Sequence, residues 1–215
     1  MKLLINIMTY QRNDMLDKLL ERIPNGIDVM IWDDDPKNHK CWSYPHHRFN
    51  FNFGKHFLWK KMQLIFDYCL KSDYDYFIFI GDDLLPEHGW IDELISTWKS
   101  IHDDSKISLS FLTDKRTQQA NWTGVPPTEL DNVILTHWND LCFFCERRFI
   151  HSIVIIPVNP DRWFKNPLAS SGVGSQISWY FYKMGLTQYH TKKSLVTHFG
   201  HESKMNPEER KINPL

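Results

Sequence analysis

Apolar and polar positions along this chain follow two alternating periods. Leu3–Met8, Ile27–Trp32 and Tyr76–Ile80 are nearly continuous apolar runs, which predict strands buried on both faces. Between them the period lengthens to that of a helix. Arg12–Arg22 carries Met15, Leu16, Leu19 and Leu20 on one face and stops at Pro24-Asn-Gly26, where turn residues end the pattern. His56–Leu70 sets Leu58, Met62, Ile65, Phe66 and Cys69 along another apolar stripe. A helix over Pro86–Ser100 and a strand over Ile107–Leu112 follow. Strands and helices alternating at this size predict right-handed βαβ units and a mostly parallel sheet.

The second half is less regular. Asp114–Asp131 reads as loop around Gly124-Val-Pro-Pro127, Asn132–Phe144 as strand and Glu146–Ile153 as a short helix. Pro157–Ser171 reads as loop, Gly174–Met184 as helix and Ser194–Phe199 as the last strand. No repeat or linker divides the chain, so one domain over residues 1–203 with a polar tail over 204–215 is expected.

An apolar share of 42% and an aromatic share of 14% supply a sizeable core and argue against disorder. A net charge of −1 gives no global pull toward nucleic acid or an anionic membrane. The pairs Lys60-Lys61, Lys115-Arg116, Arg147-Arg148 and Lys192-Lys193 read as solvated surface. No apolar run is long enough to span a bilayer, and the first residues are too short and polar-interrupted for a signal peptide. A cytoplasmic location is therefore expected, with Cys41, Cys69, Cys142 and Cys145 reduced. Cys142-Phe-Phe-Cys145 has redox-motif spacing, but its apolar, strand-like setting predicts buried structural thiols.

The chemistry gathers at strand ends. The first strand runs out into Thr9-Tyr-Gln-Arg12, the second into Asp33-Asp-Asp35, and the third into Gly81-Asp-Asp83. In a parallel sheet these ends share the rim where open α/β sheets bind ligands. Adjacent acids repel unless a cation or a proton lies between them. The plainer reading of Asp82 and Asp83 is an exposed turn capping a helix from Pro86. No Gly-rich phosphate loop and no GxGxxG follows the first strand, which argues against P-loop hydrolysis and dinucleotide binding. His198 and His201 flank Gly200 after the last strand. Carboxylate and imidazole together suit Mn²⁺, or Mg²⁺ where oxygen ligands dominate.

With these residues in place, the chain resembles the GT-A glycosyltransferases, which use nucleotide-sugar donors. The resemblance spans residues 2 to 203. It is carried by Thr9-Tyr-Gln-Arg12, the acidic end of strand two, Asn52-Phe-Gly-Lys55 before a helix, Phe79-Ile-Gly-Asp-Asp-Leu-Leu-Pro86, and Leu195-Val-Thr-His-Phe-Gly-His-Glu-Ser203. It implies an α/β fold of one domain, with a mostly parallel central sheet flanked by helices. A Rossmann-like N-terminal half, to residue 112, would bind the nucleotide sugar, and residues 113–203 would face the acceptor. The last acid of the family's DxD-type motif, its metal ligand, maps onto Asp83, and the middle acid onto Asp82. The first acid falls on Gly81, a departure from the pattern. The family's C-terminal metal-binding histidine maps onto His198, with His201 as fallback, and its base-contacting positions onto Thr9, Arg12, Asp33 and Asp34.

The implied cofactor is Mn²⁺ or Mg²⁺ and the implied donor a UDP-sugar. Inverting relatives carry a catalytic Asp or Glu near Gly172-Val-Gly-Ser-Gln176, where this chain has Ser175 and Gln176, neither a good base. Asp140 and Glu146 are the candidate substitutes, unless the enzyme retains configuration and needs none. Two acceptors are open. One is a hydroxymethylated pyrimidine in DNA, as certain bacteriophage enzymes glycosylate. The basic pairs and Trp122, Trp138 and Trp163 would then hold the backbone and a flipped base. The other is a bacterial surface glycan. Competing functions are a metal-dependent nucleotidyl- or phosphoryl-transfer enzyme and a non-catalytic nucleotide- or glycan-binding member of the fold, to which Gly81 and Gln176 point.

Overall fold

A computed structural model of the chain describes residues 2–54, 57–114, 124–139, 142–156 and 172–199. The N-terminal half alternates as its apolar period predicts: β1 (Leu3–Thr9), α1 (Asn13–Leu20), β2 (Asp28–Asp33), β3 (His46–Arg48), α2 (Leu58–Lys71) and β4 (Tyr76–Gly81). β5 (Leu84–Pro86), α3 (Trp90–Ser100) and β6 (Lys106–Ser110) follow. The remainder supplies β7 (Thr128–Glu129), β8 (Val133–Leu135), β9 (Phe143–Glu146), α4 (Arg147–Ser152), α5 (Val173–Lys183), β10 (Thr187–Thr191) and β11 (Val196–His198).

Nine strands form one sheet in the order β3-β2-β1-β4-β9-β6-β10-β8-β7. β1 pairs parallel with β2 and β4, β2 with β3, and β6 with β10. β9 runs antiparallel between β4 and β6. The C-terminal ends of β1, β2, β3 and β4 therefore share one rim.

The sheet divides two cores. One packs Leu16, Leu19, Trp90 and Leu94 from α1 and α3 against Ile78 and Ile80. The other packs Met62, Phe66, Phe149 and Phe181 from α2, α4 and α5 against Phe77 and Phe79. Side chains alternate across a strand, so β4 feeds both cores, and each fully buried ring or branched chain contributes about 2 kcal/mol. Cys142 lies in the first core and Cys145 in the second. Their spacing puts the two buried thiols on opposite faces, as structural cysteines.

Several sequence expectations are corrected. Pro86 does not start a helix; it ends β5, which pairs antiparallel with β11, and α3 starts at Trp90 after Gly89 with φ 75°. Asn132–Phe144 is not one strand but β8 and the start of β9, which lie apart in the sheet. β10 was not expected, because its buried Gln188 and His190 are polar. Lys60-Lys61 is not a solvated pair: Lys60 is exposed and Lys61 is fully buried. Among the described residues, no helix is long and apolar enough to cross a membrane.

Candidate functional site

The site is built on the adjoining tips of β1 and β4. The ladder continues past Gly81, with Asp82 N–H donating to Met8 O at 3.0 Å. After β1 the chain turns sharply, with Gln11 in the left-handed region at φ 56°. Non-glycine residues adopt that region at a cost. The turn folds Arg12 back over the acids. Its Nη1 lies 3.1 Å from Asp82 Oδ1 and 3.0 Å from Asp83 Oδ2. The cation that two adjacent acids require is thus, in part, this guanidinium.

The two acids play different parts. Asp82 is buried and turned toward β1, accepting from Thr9 Oγ1 at 2.8 Å and from Tyr10 N–H at 3.1 Å. It ties the β1 turn to β4. Burial and the Asp83 charge push it up to about 6, against the pull of Arg12 and Thr9. Asp83 points the other way and keeps 24% of its side chain exposed. Burial works to raise it, but His198 and Arg12 outweigh this and hold it down at about 2.

His198 arrives through the small sheet. β11 pairs with β5 so that His198 stands opposite Leu84, and Phe199 N–H donates to Asp83 O at 3.0 Å. This register sets His198 Nε2 3.5 Å from Asp83 Oδ2, with 27% of the imidazole side chain exposed. Gly81 has a steric role as well. A Cβ there would stand 2.9 Å from Asp83 Oδ1, so a side chain at 81 would displace the carboxylate that Arg12 and His198 hold.

Two ligands bound side by side to one divalent ion, at bonds of about 2.1 Å, stand roughly 3 to 3.5 Å apart. Asp83 and His198 meet that spacing and keep open faces. Among the described residues, no group of three or more acids, histidines or cysteines is arranged to hold a metal. The pair therefore fits an ion whose remaining ligands come from elsewhere. His201, the fallback, lies outside the described residues.

At the β2 tip, Asp33 is fully buried. Its Oδ2 accepts from Asn38 Nδ2 at 2.9 Å and Arg48 Nε at 3.1 Å, and its Oδ1 accepts from Asp35 N–H at 3.0 Å. Asp34 is also buried. Its Oδ1 accepts Phe53 N–H at 3.2 Å, and its Oδ2 faces Lys61 Nζ at 3.7 Å. Thr9, Arg12, Asp33, Asp34, Asp82, Asp83 and His198 thus converge on one rim, although Asp33, Asp34 and Asp82 turn their carboxylates inward to protein partners.

This architecture is similar to that of S. aureus TarS. One TarS structure, of residues 1–349, superposes with a TM-score of 0.61 at 11% identity, covering 91% of this chain and 60% of its own. A second gives 0.60 at 11% identity, covering 91% of this chain and 36% of its own. The chain spans less than two thirds of either, and at this identity the likeness shows the fold. TarS is a GT-A-type glycosyltransferase. No protein-family model matches the chain, and no curated protein matches it.

On that fold, the substitute bases separate. Glu146 pairs with Tyr76 in the β4–β9 ladder, at the start of β4 and the opposite end of the strand from Asp83. Its Oε1 accepts Trp98 Nε1 at 2.9 Å. The strand's length keeps it from taking a proton at the Asp83 rim, so its candidacy as a base is corrected. Asp140 lies outside the described residues. Ser175 Oγ is spent on Gly172 O at 2.8 Å in the first turn of α5, and Gln176 is half-buried on the same turn.

The nucleic-acid expectation finds little support in the described basic pairs. Arg147 donates to Leu70 O and Ser72 O, and Arg148 to Asp104 O, all at the far edge from Asp83. Lys193 pairs with Glu87 at 2.9 Å. Trp138 stacks on His190 with ring centroids 5.9 Å apart. Lys115, Arg116, Trp122 and Trp163 lie outside the described residues.

Sequence reasoning missed two features. The Arg12 clamp depends on the Gln11 turn, which no local pattern announces. Burial of Lys61 was hidden by its neighbour Lys60; the signal available was its place three residues after Leu58 on the apolar stripe of α2.

Proposed function

We propose that the chain is a glycosyltransferase that moves a sugar from a nucleotide-sugar donor to an acceptor hydroxyl, with a divalent cation held by Asp83 and His198. The observation that carries this reading is the convergence of His198 and Arg12 on one Asp83 oxygen, at the ligand rim of a TarS-like sheet. Transfer breaks the bond between the sugar's anomeric carbon and the phosphate oxygen, the leaving diphosphate takes that electron pair, and the acceptor oxygen bonds to the anomeric carbon as its proton passes to water or to the diphosphate. The cation, when bound, stabilises that charge. The chain's own share is preorganisation. Arg12 fixes Asp83, Asp82 fixes the turn that carries Arg12, and Asp83 stays ionised throughout the neutral range.

For the acceptor, a hydroxyl of a glycan is favoured over DNA, because Arg147 and Arg148 are spent on backbone carbonyls away from the rim. The test is a donor-hydrolysis screen over sugar nucleotides with Mn²⁺, followed by acceptor addition, beside UDP calorimetry with Mn²⁺ or EDTA. Sugar release that needs Mn²⁺, and tighter UDP binding with it, is expected. Equal binding under both conditions would remove the cation bridge. Turnover of plain nucleoside triphosphates instead would favour nucleotidyl or phosphoryl transfer.

A further inference from the structure

Lys61 stands in the first turn of α2, where the helix dipole opposes a positive charge, and it is 1% exposed. Its only ion pair among the described residues is the 3.7 Å approach to Asp34 Oδ2, an oxygen with no hydrogen-bond partner. Burial pushes Lys61 down and Asp34 up. A loose buried pair repays its desolvation poorly, and a well-packed apolar pair is often at least as stable. Stability alone is therefore a weak reason for it.

What the pair secures is the loop after β3. Asp34 Oδ1 accepts Phe53 N–H at 3.2 Å, and Phe49 N–H donates to Asp33 O at 3.0 Å. Asn52 Oδ1 accepts Gly54 N–H at 2.7 Å, closing a turn with Gly54 at φ 58°. A ladder of rings runs outward through this loop: Trp32 to Phe49 at 6.2 Å, Phe49 to Phe53 at 4.9 Å, and Phe53 to Phe51 at 4.4 Å. The first three rings are buried, and Phe51 is 57% exposed. The ladder thus ends in an exposed aromatic side chain on a pinned loop.

That loop leaves β3 on the same rim as Asp83, three strand spacings away, or about 14 Å. This is comparable to the reach of an extended nucleoside diphosphate. The exposed aromatic face suits a flat base. We propose that Lys61 and Asp34 are positioning residues that fix the loop from Phe49 to Gly54, and that Phe51 presents its ring as the stacking face for the donor's nucleobase. The proposal rests on the nucleotide-sugar reading above.

Calorimetry with UDP and with pyrophosphate, each with Mn²⁺, tests it. Phe51→Ala should weaken UDP binding about tenfold, leaving pyrophosphate binding and the melting temperature unchanged. The double variant Asp34→Leu/Lys61→Met also removes the acceptor of the Phe53 N–H, so it should melt no higher than wild type, and it should bind UDP about as weakly as Phe51→Ala while keeping its pyrophosphate affinity. Wild-type UDP affinity in Phe51→Ala overturns the stacking role while the donor reading stands. A double variant that keeps both stability and UDP affinity overturns the positioning role. A wild-type protein that binds pyrophosphate but none of UDP, GDP, ADP or CDP overturns this proposal and the donor reading together.

Discussion

At the C-terminal end of β4, Arg12 bridges Asp82 and Asp83, and His198 approaches the same Asp83 oxygen. At its N-terminal end, Asp75, Glu146 and Arg147 offer a similar inventory around a shallow open cavity also lined by Tyr76 and Arg148. There the polar groups are dispersed. Asp75 accepts Lys2 N–H, Glu146 accepts the Trp98 indole, and Arg147 feeds two backbone carbonyls. At the C-terminal end, by contrast, two donors compete for one Asp83 oxygen and open faces remain. The difference teaches that acids and bases near each other do not make a site; several groups converging on one partly exposed atom do.

The sharpest way to break this comparison is to neutralise one acid at each end. Asp83→Asn should lower transfer at least about 100-fold, the scale for removing a preorganised electrostatic group, with a modest drop in melting temperature as the pairing with Arg12 and His198 is lost. His198→Ala should do milder damage. Glu146→Gln should leave turnover within about twofold and cost about 1 kcal/mol through a weakened indole bond. Rates with a sugar-nucleotide donor, measured beside thermal melts, decide it; equal losses at 83 and 146 would erase the distinction.

Arg12→Met tests the clamp. It leaves Asp82 and Asp83 without their shared guanidinium and should destabilise the fold by about 3 kcal/mol, read by denaturant titration. The acids also predict a pH signature without metal. Asp82 is raised to about 6, so it prefers its proton in the folded state, and stability falls as pH rises from about 4 through 6. Asp83 is held at about 2, so its contribution is present above about 4 and is lost as pH falls toward 2. Asp82→Asn should remove the upper slope and leave the lower one.

Smaller effects should follow from the backbone. Gly81→Ala places a methyl against Asp83 Oδ1 and should cost about 1 kcal/mol, with turnover down severalfold. Gln11→Gly removes a side chain from a left-handed position and should stabilise by up to about 1 kcal/mol with turnover unchanged. Steady-state rates and urea midpoints check both.

Much of the fold was legible because the first half obeys its periods: β1, α1, β2, β4 and β6 fall within two or three residues of their apolar runs. β10 was illegible because two of its buried positions are polar and held by hydrogen bonds. Gln188 Nε2 reaches Ser178 O at 3.1 Å, and the His190 ring nitrogens face Trp138 O at 3.0 Å and Leu112 O at 3.2 Å. β5 was misread because Pro86 suits a helix start equally well, and only its distant partner β11 decides. In the site, strand-end logic pointed to Asp83 and His198, and the structure brings their side chains to 3.5 Å. The inward aim of Asp82 and Asp33 was not legible, since orientation at a strand end depends on neighbouring strands.

The thiols have a practical consequence. Cys69, Cys142 and Cys145 are sealed in the cores, while Cys41 is exposed, on the segment between β2 and β3, three residues after Asn38, which donates to Asp33. A maleimide dye added to the native protein should therefore attach at one place without any engineered cysteine. That place adjoins the β2 end of the rim, so the attached dye becomes an optical reporter for whatever molecule settles there.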